Sequence, residues 1–535
     1  MHVYNQLYQR QTIPAEHNFM RDKSSRTFLY IAVIAAVLPV IIMRDFTTSN
    51  ELRYLSIADE ALRNGSIFTF TNHGVPYCDK PPFYLWIIIL CRWLTGAHHM
   101  WLLSLFSVVP ALAIVDIIDR WTANEMGASS HAIARLMTLS AGLFLTAALT
   151  IRMDMLMCLF IVLALREFWR MYNDGEPSTK SRWLFPLWIF LGVFTKGPLG
   201  LLIPLVSTAV FLLIKGELRL MPRFWGWRTW TVIIGLMAAW FGAVAAEAGT
   251  GYLYDMTVHQ TLGRAFKSFH HKAPFYYYAL HYWYCLAPWS LLVAGVVVKA
   301  LEKRTKRDNL EVFFLTVAVS TLCLLTCFSG KLQVYMLPAV PFLTYPTAMF
   351  IERYSGCRWV RYSLAVPAAI FIAALPAFLV AEEYVSIPGR GFLIAAATML
   401  TITGCAVLHS LYCKRKTAGL LTTVRIIGYG MLAAIFTGAF AMPQINSETG
   451  YKEVCQIARQ EAERHHTTDY RAWKLKRPEN MDVYLHHNVR IIASNDKVDA
   501  DKRPYIIITK KSELGEIRMN DTKIIGNFAV GVVAR

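Results

Sequence analysis

Apolar segments long enough to cross a lipid bilayer recur along most of this sequence. Hydrophobic residues make up 55% of the 535 positions and charged residues only 17%, whereas a soluble domain carries about 25% charged residues. Apolar runs of about 17–25 residues are long enough to cross a bilayer core, and the sequence therefore predicts an all-α polytopic membrane protein with about 13 transmembrane helices. The predicted spans lie near 27–43, 101–118, 131–150, 155–170, 183–195, 199–214, 229–247, 274–298, 311–328, 332–350, 361–382, 390–412 and 420–441.

The net charge of +18 is concentrated in short loops between apolar segments. The basic clusters Lys215–Arg228, Lys303–Arg307 and Lys414–Lys416 are of this kind. Such loops are typical of the cytoplasmic side of a membrane protein. The charge is therefore interpreted as a topology signal, and no nucleic-acid partner is expected.

One short apolar segment, Phe83–Gly96, follows two prolines and decides the topology. If it crossed the membrane, the basic clusters at 303–307 and 414–416 would face outward, against the positive-inside rule. We therefore expect an interfacial helix on the outer side. With the N-terminus inside and an odd number of spans, the C-terminus lies outside.

Two domains are predicted, with a change to polar composition after Met442. Residues 1–442 form the membrane domain, and its first outer loop covers 44–100. Residues 443–535 form a small α/β domain on the outer side, of a size at which domains fold independently. Its expected elements are an amphipathic helix at Glu453–Arg464 and strands at Tyr505–Thr509 and Phe528–Val533.

This topology brings polar residues from distant parts of the chain to the outer face. Each alone is more often a solvated anchor or a structural ion pair, but together they indicate a site. The cations Lys80, Arg264 and Lys331 suit a phosphate, and the Tyr335 hydroxyl can add a hydrogen bond. The set comprises Asn50, Glu51, Arg53, Asp79, Lys80, Asp154, His259, Arg264, His270, His271, Lys272, Lys331 and Tyr335.

Two further features of the outer face remain open from the residues alone. Asp79 and His259 are chemically suited to a divalent cation such as zinc, but two ligands do not define a site. The segment Thr195–Pro198 interrupts two spans, and its Gly and Pro fit either a tight outer turn or a broken helix.

An ordered set of short motifs resembles the bacterial lipid A aminoarabinose transferases, within the wider protein O-mannosyltransferase superfamily. The resemblance covers roughly residues 27–345. Its motifs are, in chain order, NELRY, YCDKPP, RMDM, TKGP, HQTLGRAF, HHKAPFYYY, APWS and SGKLQVYMLP. It implies a GT-C fold, an undecaprenyl-phosphate-linked sugar donor, and transfer on the periplasmic face of the inner membrane.

The resemblance also implies roles by position. Lys80, Arg264 and Tyr335 match residues that hold the lipid phosphate, and Lys196 and Lys331 are expected to add contacts. Asp79 and His259 match residues that can hold a zinc ion. Asp79 stands where the family more often has Glu, which shortens the reach by one methylene and keeps the charge.

The first loop departs from the family at its catalytic position. The family usually has Asp-Glu, and here the pair is Asn50-Glu51. Since Asn cannot act as a general base at neutral pH, three interpretations are open. The acceptor is a phosphate that needs no deprotonation and Asn50 only orients it; or Glu51 or Asp154 is the base; or this branch uses another acceptor or is inactive.

The sequence thus predicts a glycosyltransferase that moves a sugar, with 4-amino-4-deoxy-L-arabinose as one candidate, to lipid A or a related envelope acceptor. One alternative is an enzyme like the protein O-mannosyltransferases. The other is a flippase for a lipid-linked sugar. Transporters tend to place ionisable residues near the bilayer midplane, whereas here they lie at span ends.

Overall fold

The structure is a computed structural model with side chains. It describes residues 15–174, 178–257, 272–302, 307–354, 356–413, 417–493, 504–517 and 519–533. Most of the described chain is helical, and every predicted span coincides with a helix or a pair of helices.

The helices, in chain order, have the following bounds. They are α1 Ala15–Met43, α2 Glu51–Asn64, α3 Phe83–Thr95, α4 Met100–Trp121, α5 Ala128–Ser140, α6 Gly142–Leu149, α7 Asp154–Asn173, α8 Thr179–Lys196, α9 Leu199–Ile214, α10 Met221–Phe224, α11 Trp227–Tyr254, α12 Tyr277–Cys285, α13 Ser290–Leu301, α14 Asn309–Cys327, α15 Ala339–Tyr354, α16 Arg358–Ile372, α17 Ala374–Tyr384, α18 Arg390–Cys413, α19 Thr417–Ala439, α20 Met442–Thr449, α21 Lys452–Arg464 and α22 Asp482–Leu485.

The predicted polytopic membrane fold is confirmed. Among the described residues, seven helices are long and apolar enough to cross a bilayer alone, and α5 with α6 form an eighth as a pair bent by 59°. The predicted span 274–298 is divided between α12 and α13, and the predicted span 332–350 begins its α-helix only at Ala339, after a 3₁₀ turn at Gln333–Met336. Broken and short helices are compatible with a bundle in which each helix packs against its neighbours.

The first outer loop and the C-terminal domain pack against each other. Ser56 Oγ donates to Asp482 Oδ2 at 2.7 Å, and Asn480 Nδ2 donates to the Thr48 carbonyl at 3.0 Å. Leu52 and Leu55 of α2 lie in one apolar core with Val454 and Ile506. The two regions must therefore lie on the same side of the membrane.

That contact requires an even number of membrane crossings between the first loop and the C-terminal domain. Between the first loop and residue 442, the described chain contains α3 and, after it, helices or helix pairs that coincide with the twelve further predicted spans. Twelve crossings are even in number and meet this condition, whereas a crossing α3 would make the number thirteen. Helix α3 packs mainly against α2 of the first outer loop. The structure thus supports the interfacial helix predicted at Phe83–Gly96.

The C-terminal domain contains a five-stranded mixed sheet. Its strands are β3 Tyr470–Trp473, β4 Val489–Ile492, β5 Tyr505–Lys510, β6 Asn520–Ile525 and β7 Phe528–Val533; the short hairpin β1 Thr71–Asn72 and β2 Val75–Pro76 lies in the first loop. The order is β4-β3-β5-β7-β6, with β3 parallel to β4 and β5, and β7 antiparallel to β5 and β6. The predicted α/β domain is confirmed, and its predicted boundary at 442/443 stays a prediction.

The segment Thr195–Pro198 is a tight turn between α8 and α9. Gly197 has φ 108°, a conformation that side chains disfavour. The two helices then approach so closely that a Cβ built on Gly200 would lie 2.2 Å from the carbonyl carbon of Gly192. This turn holds Lys196, the last residue of α8, at the outer end of both helices.

Candidate active site

A cavity of about 610 Å³ lies at the outer ends of α8, α9 and α11. Its polar lining comes from four separate segments of the chain: Asp79 and Lys80, Lys196, Thr257, and Tyr335. The rest of the lining is mostly apolar and includes Val193, Leu199, Leu202, Met237, Trp240, Phe241, Met256, Leu325 and Phe328. The cavity therefore combines a cationic end with a wall suited to hydrocarbon.

A buried ion pair fixes the cationic end. Lys196 Nζ donates to Asp154 Oδ1, and Arg152 Nε donates to Asp154 Oδ2 at 3.1 Å. Lys196 Nζ also lies 4.5 Å from the centre of the Tyr335 ring, close enough for a cation–π contact. Asp154 is thus the carboxylate that holds two cations in place at the N-terminus of α7.

The loop that carries Asp79 and Lys80 is fastened to α11. Glu247 accepts hydrogen bonds from the backbone N–H groups of Ile67 and Phe68, both at 2.8 Å. The Tyr252 hydroxyl donates to the carbonyl of Tyr77 at 3.0 Å. These bonds bring the end of the loop to the cavity, and Lys80 there lies within electrostatic range of Lys196.

Glu51 is buried away from solvent, with 1% of its surface exposed, and is surrounded by donors. Arg44 donates to both carboxylate oxygens, at 2.8 Å each. The backbone N–H groups of Thr47 and Ile151 donate at 2.7 and 2.8 Å. A carboxylate whose two oxygens accept four hydrogen bonds is fixed in one orientation, which favours a positioning role over that of a base.

Asn50 is the N-cap residue of α2, and its side chain does not cap the helix. Its Oδ1 instead accepts a hydrogen bond of 3.3 Å from Arg53 Nη2, and Arg53 lies within electrostatic range of Asp79. Asn50 thus connects, through Arg53, with the segment that reaches the cavity. Its predicted catalytic role stays a prediction.

Lys331 is directed into the protein. Its Nζ donates to the carbonyls of Thr326, at 3.0 Å, and Phe328, at the C-terminal end of α14, where carbonyls lack helical partners. Its neighbour Gly330 lines the cavity, and Lys331 itself is 4% exposed. This arrangement favours a helix-capping role, and the predicted phosphate contact stays a prediction.

Arg264 and His259 lie outside the described residues, so the phosphate contact and the metal ligand predicted for them are untested. Of the predicted metal ligands only Asp79 is described. Within the described ranges no group of three or more His, Cys, Asp or Glu side chains is arranged to hold a metal ion.

Several residues that build the site were not singled out from the sequence. Arg152 stands two positions before Asp154 in RMDM, and this spacing was the one available signal. Arg44 and Glu247 gave none, because each looks like an ordinary charged residue at the end of a span. Arg44 donates to the Leu149 carbonyl, 105 positions away, as well as to Glu51, and Glu247 accepts from Ile67, 180 positions away.

Known proteins share both the sequence pattern and the architecture. The chain is 25% identical over 315 residues to an undecaprenyl phosphate-α-4-amino-4-deoxy-L-arabinose arabinosyl transferase of Edwardsiella ictaluri, which covers 57% of this chain and 56% of the relative. It is 26% identical over 355 residues to the protein of the same name from Erwinia tasmaniensis, covering 63% and 62%. The chain thus spans less than two thirds of the length of either relative. No family model matches the chain.

The solved structure of ArnT from Cupriavidus metallidurans bound to undecaprenyl phosphate superimposes with a TM-score of 0.76, at 16% identity, over 95% of this chain and 97% of that one. This chain has the ArnT fold. The GT-C architecture implied by the motifs is therefore confirmed, and so is the resemblance to the aminoarabinose transferases. The ArnT-like architecture and the apolar helices make the chain a multi-pass membrane protein.

Proposed function

We propose that this protein is an inner-membrane glycosyltransferase that takes a sugar from an undecaprenyl-phosphate donor and passes it to lipid A or a related envelope acceptor on the periplasmic face. The observation that carries the proposal is the single cavity that joins Lys80, Lys196 and Tyr335 to an apolar wall. The names of the similar proteins supply the donor and the pentose 4-amino-4-deoxy-L-arabinose as the sugar.

The shape of the cavity supports a lipid-linked donor. A polyprenyl phosphate has an anionic head on a long apolar chain. Lys80 and Lys196 give the head two point charges, and the side chains of Leu202, Trp240 and Phe241 offer the chain an apolar surface. Both ends of such a ligand thus find chemically matched residues in one cavity.

The proposed reaction is a displacement at the anomeric carbon with inversion. An acceptor oxygen forms a bond to that carbon while the bond from the carbon to the phosphate oxygen breaks. The phosphate leaves with the electron pair, and Lys80 and Lys196 stabilise the negative charge that develops on it, with Arg264 as a further predicted donor. Stabilisation of developing charge is usually the largest catalytic contribution.

The carboxylates support this step in different ways. Asp154 accepts hydrogen bonds from Lys196 and Arg152 and so orients both side chains. Glu51 holds the start of the first loop against the segment before α7. A phosphate acceptor is already ionised and needs no base, which accommodates Asn50 at the position where the family has Asp.

A divalent cation at Asp79 and His259 is a separate proposal. When bound, it would neutralise part of the charge on the donor phosphate. Elemental analysis of the purified protein and of Asp79→Ala tests it: we expect one zinc ion per chain in the wild type and loss in the variant. Equal metal content in both would contradict it.

The decisive experiment is transfer of a radiolabelled sugar from undecaprenyl phosphate to lipid A by purified protein. We expect Lys80→Ala to lower kcat by about 10²- to 10³-fold, as for loss of one donor to a developing charge. The matched control is Lys180→Ala, an exposed lysine in the first turn of α8, at its opposite end. Proteoliposomes in which labelled donor crosses the bilayer without transfer would contradict the proposal and favour a flippase.

A further inference from the structure

A second cavity, of about 450 Å³, lies at the opposite ends of the helices that form the active-site cavity. It is lined by Met171, Arg182, Phe185, Pro222, Arg223, Phe224, Gly226, Trp227, Arg228 and Thr229. Arg182 is in the first turn of α8, whereas Lys196 ends that helix. Fourteen residues of helix separate the two cavities by about 21 Å, so the second belongs to the cytoplasmic side.

The cavity has an arginine rim over an apolar floor. Arg182, Arg223 and Arg228 come from α8, α10 and α11, and all three line the cavity. Phe185 and Phe224 form the floor and are buried in the main apolar core. Guanidinium groups suit phosphate because of their planar fork of donors. The arrangement fits an amphipathic anion.

Two exposed tryptophans place the rim at the membrane surface. Trp183 is 58% exposed beside Arg182, and Trp227 is 73% exposed beside Arg228. Both stand in the first turns of helices that enter the membrane here. Tryptophan is enriched at the headgroup level of bilayers, so the cavity opens where lipid headgroups lie, and not into bulk solution.

We propose that this cavity binds the headgroup of an anionic phospholipid of the inner leaflet. The lipid phosphate lies on the arginine rim, and the glycerol with the first acyl carbons lies on the phenylalanine floor. Basic pockets between transmembrane helices on the cytoplasmic side bind anionic lipids in this way. This site does not depend on the proposed transfer activity.

The test is native mass spectrometry of the full-length protein with added phosphatidylglycerol or phosphatidylcholine. We compare the wild type with the double variant Arg182→Gln/Arg228→Gln. The matched control is Lys180→Gln/Arg219→Gln, which removes the same charge from two exposed residues outside the cavity, one in the first turn of α8 and one in the 3₁₀ turn Leu218–Leu220. With about 1 kcal/mol per basic residue near anionic lipid, we expect the cavity variant to bind phosphatidylglycerol about tenfold to thirtyfold more weakly, and the control to bind it like the wild type.

Equal weakening in both variants would overturn the proposal in favour of general attraction to the basic face. Displacement of phosphatidylglycerol by inorganic phosphate at millimolar concentration would overturn it in favour of a soluble phosphate ligand. If the double variant does not fold, the salt dependence of lipid binding by the wild type still tests the proposal. The preference of the wild type for phosphatidylglycerol over phosphatidylcholine must fall steeply as salt rises, and a preference unaffected by salt would contradict an arginine site.

Discussion

Glu51 was a candidate base, and the structure favours a positioning role for it. Its side chain is the acceptor for both Arg44 bonds and for two backbone N–H groups. Neither Arg44 nor Ile151 could be predicted as a partner from the sequence, because Arg44 looks like an interfacial anchor and Ile151 lies 100 residues away. The chemistry of a carboxylate depends on the groups that surround it in space, and these cannot be read from the order of residues in the chain.

Replacement of Glu51 by Gln separates the two roles. The change removes the charge that pairs with Arg44 and turns one acceptor into a donor facing other donors. Breaking a buried ion pair from one side costs about 3 kcal/mol or more, so we expect a lower thermal midpoint and a fall in activity that follows the loss of folded protein. An unchanged midpoint with transfer abolished would instead identify Glu51 as the base.

Asp59 makes the first loop sensitive to acid. Its Oδ1 accepts from Arg92 Nε at 3.0 Å and lies 3.0 Å from His98 Nε2. Burial alone would raise the pKa of Asp59, but the contacts of His98 and Arg92 outweigh it, and the pKa is lowered. An acid whose pKa is lowered on folding stabilises the folded state above its unfolded pKa of about 3.9, and this contribution is lost as pH falls through the folded value.

We therefore expect Asp59→Asn to destabilise the protein by about 1–3 kcal/mol at neutral pH. The gap to the wild type should narrow as pH falls below about 4. Thermal midpoints measured across pH test this, with the exposed Asp174→Asn as the control that leaves the midpoint unchanged. A gap that stays constant down to pH 3 would contradict the assignment.

At the scale of elements, the α8–α9 turn depends on two glycines that touch. Gly200→Ala would place a Cβ 2.2 Å from the Gly192 backbone, which cannot move aside as a side chain does. We expect a loss of about 1–3 kcal/mol, as for overpacking, together with lower transfer because Lys196 shifts. Gly242→Ala in α11 is the matched control, since a Cβ there meets open space. Similar behaviour of the two variants would contradict this packing.

The positions of most helices could be predicted, whereas the breaks within them could not. Long apolar runs predict membrane helices because the bilayer alone dictates their length and hydrophobicity. The breaks after Ser140 and at Ala373 leave hydropathy almost unchanged, so hydropathy does not report them. In the C-terminal domain, the apolar strands at Tyr505–Thr509 and Phe528–Val533 were predicted. Strand β6, Asn520–Ile525, was missed because its sequence NDTKII begins with turn-forming polar residues.

At the scale of the whole molecule, topology predicted which residues share a face, and packing determined which of them touch. Parity placed Lys80, Asp154, Lys196 and Tyr335 together at the outer ends of spans. The contact between Asp154 and Lys196 needed the packing of α7 against α8, which follows from side-chain shapes along the whole interface. Sequence reasoning therefore reached the region of the site and not its internal pairing.

The same topology makes a prediction about Ala97, the exposed residue between α3 and α4. Because the first loop packs on the C-terminal domain, an interfacial α3 leaves Ala97 on the same side as Lys510, and opposite Arg219. In a variant without the ten native cysteines, an impermeant thiol reagent applied to spheroplasts should label Ala97→Cys and Lys510→Cys. It should label Arg219→Cys only after permeabilisation. Protection of Ala97→Cys would mean that α3 crosses the membrane. The number of crossings between the first loop and the C-terminal domain would then be odd, which contradicts their contact on one side.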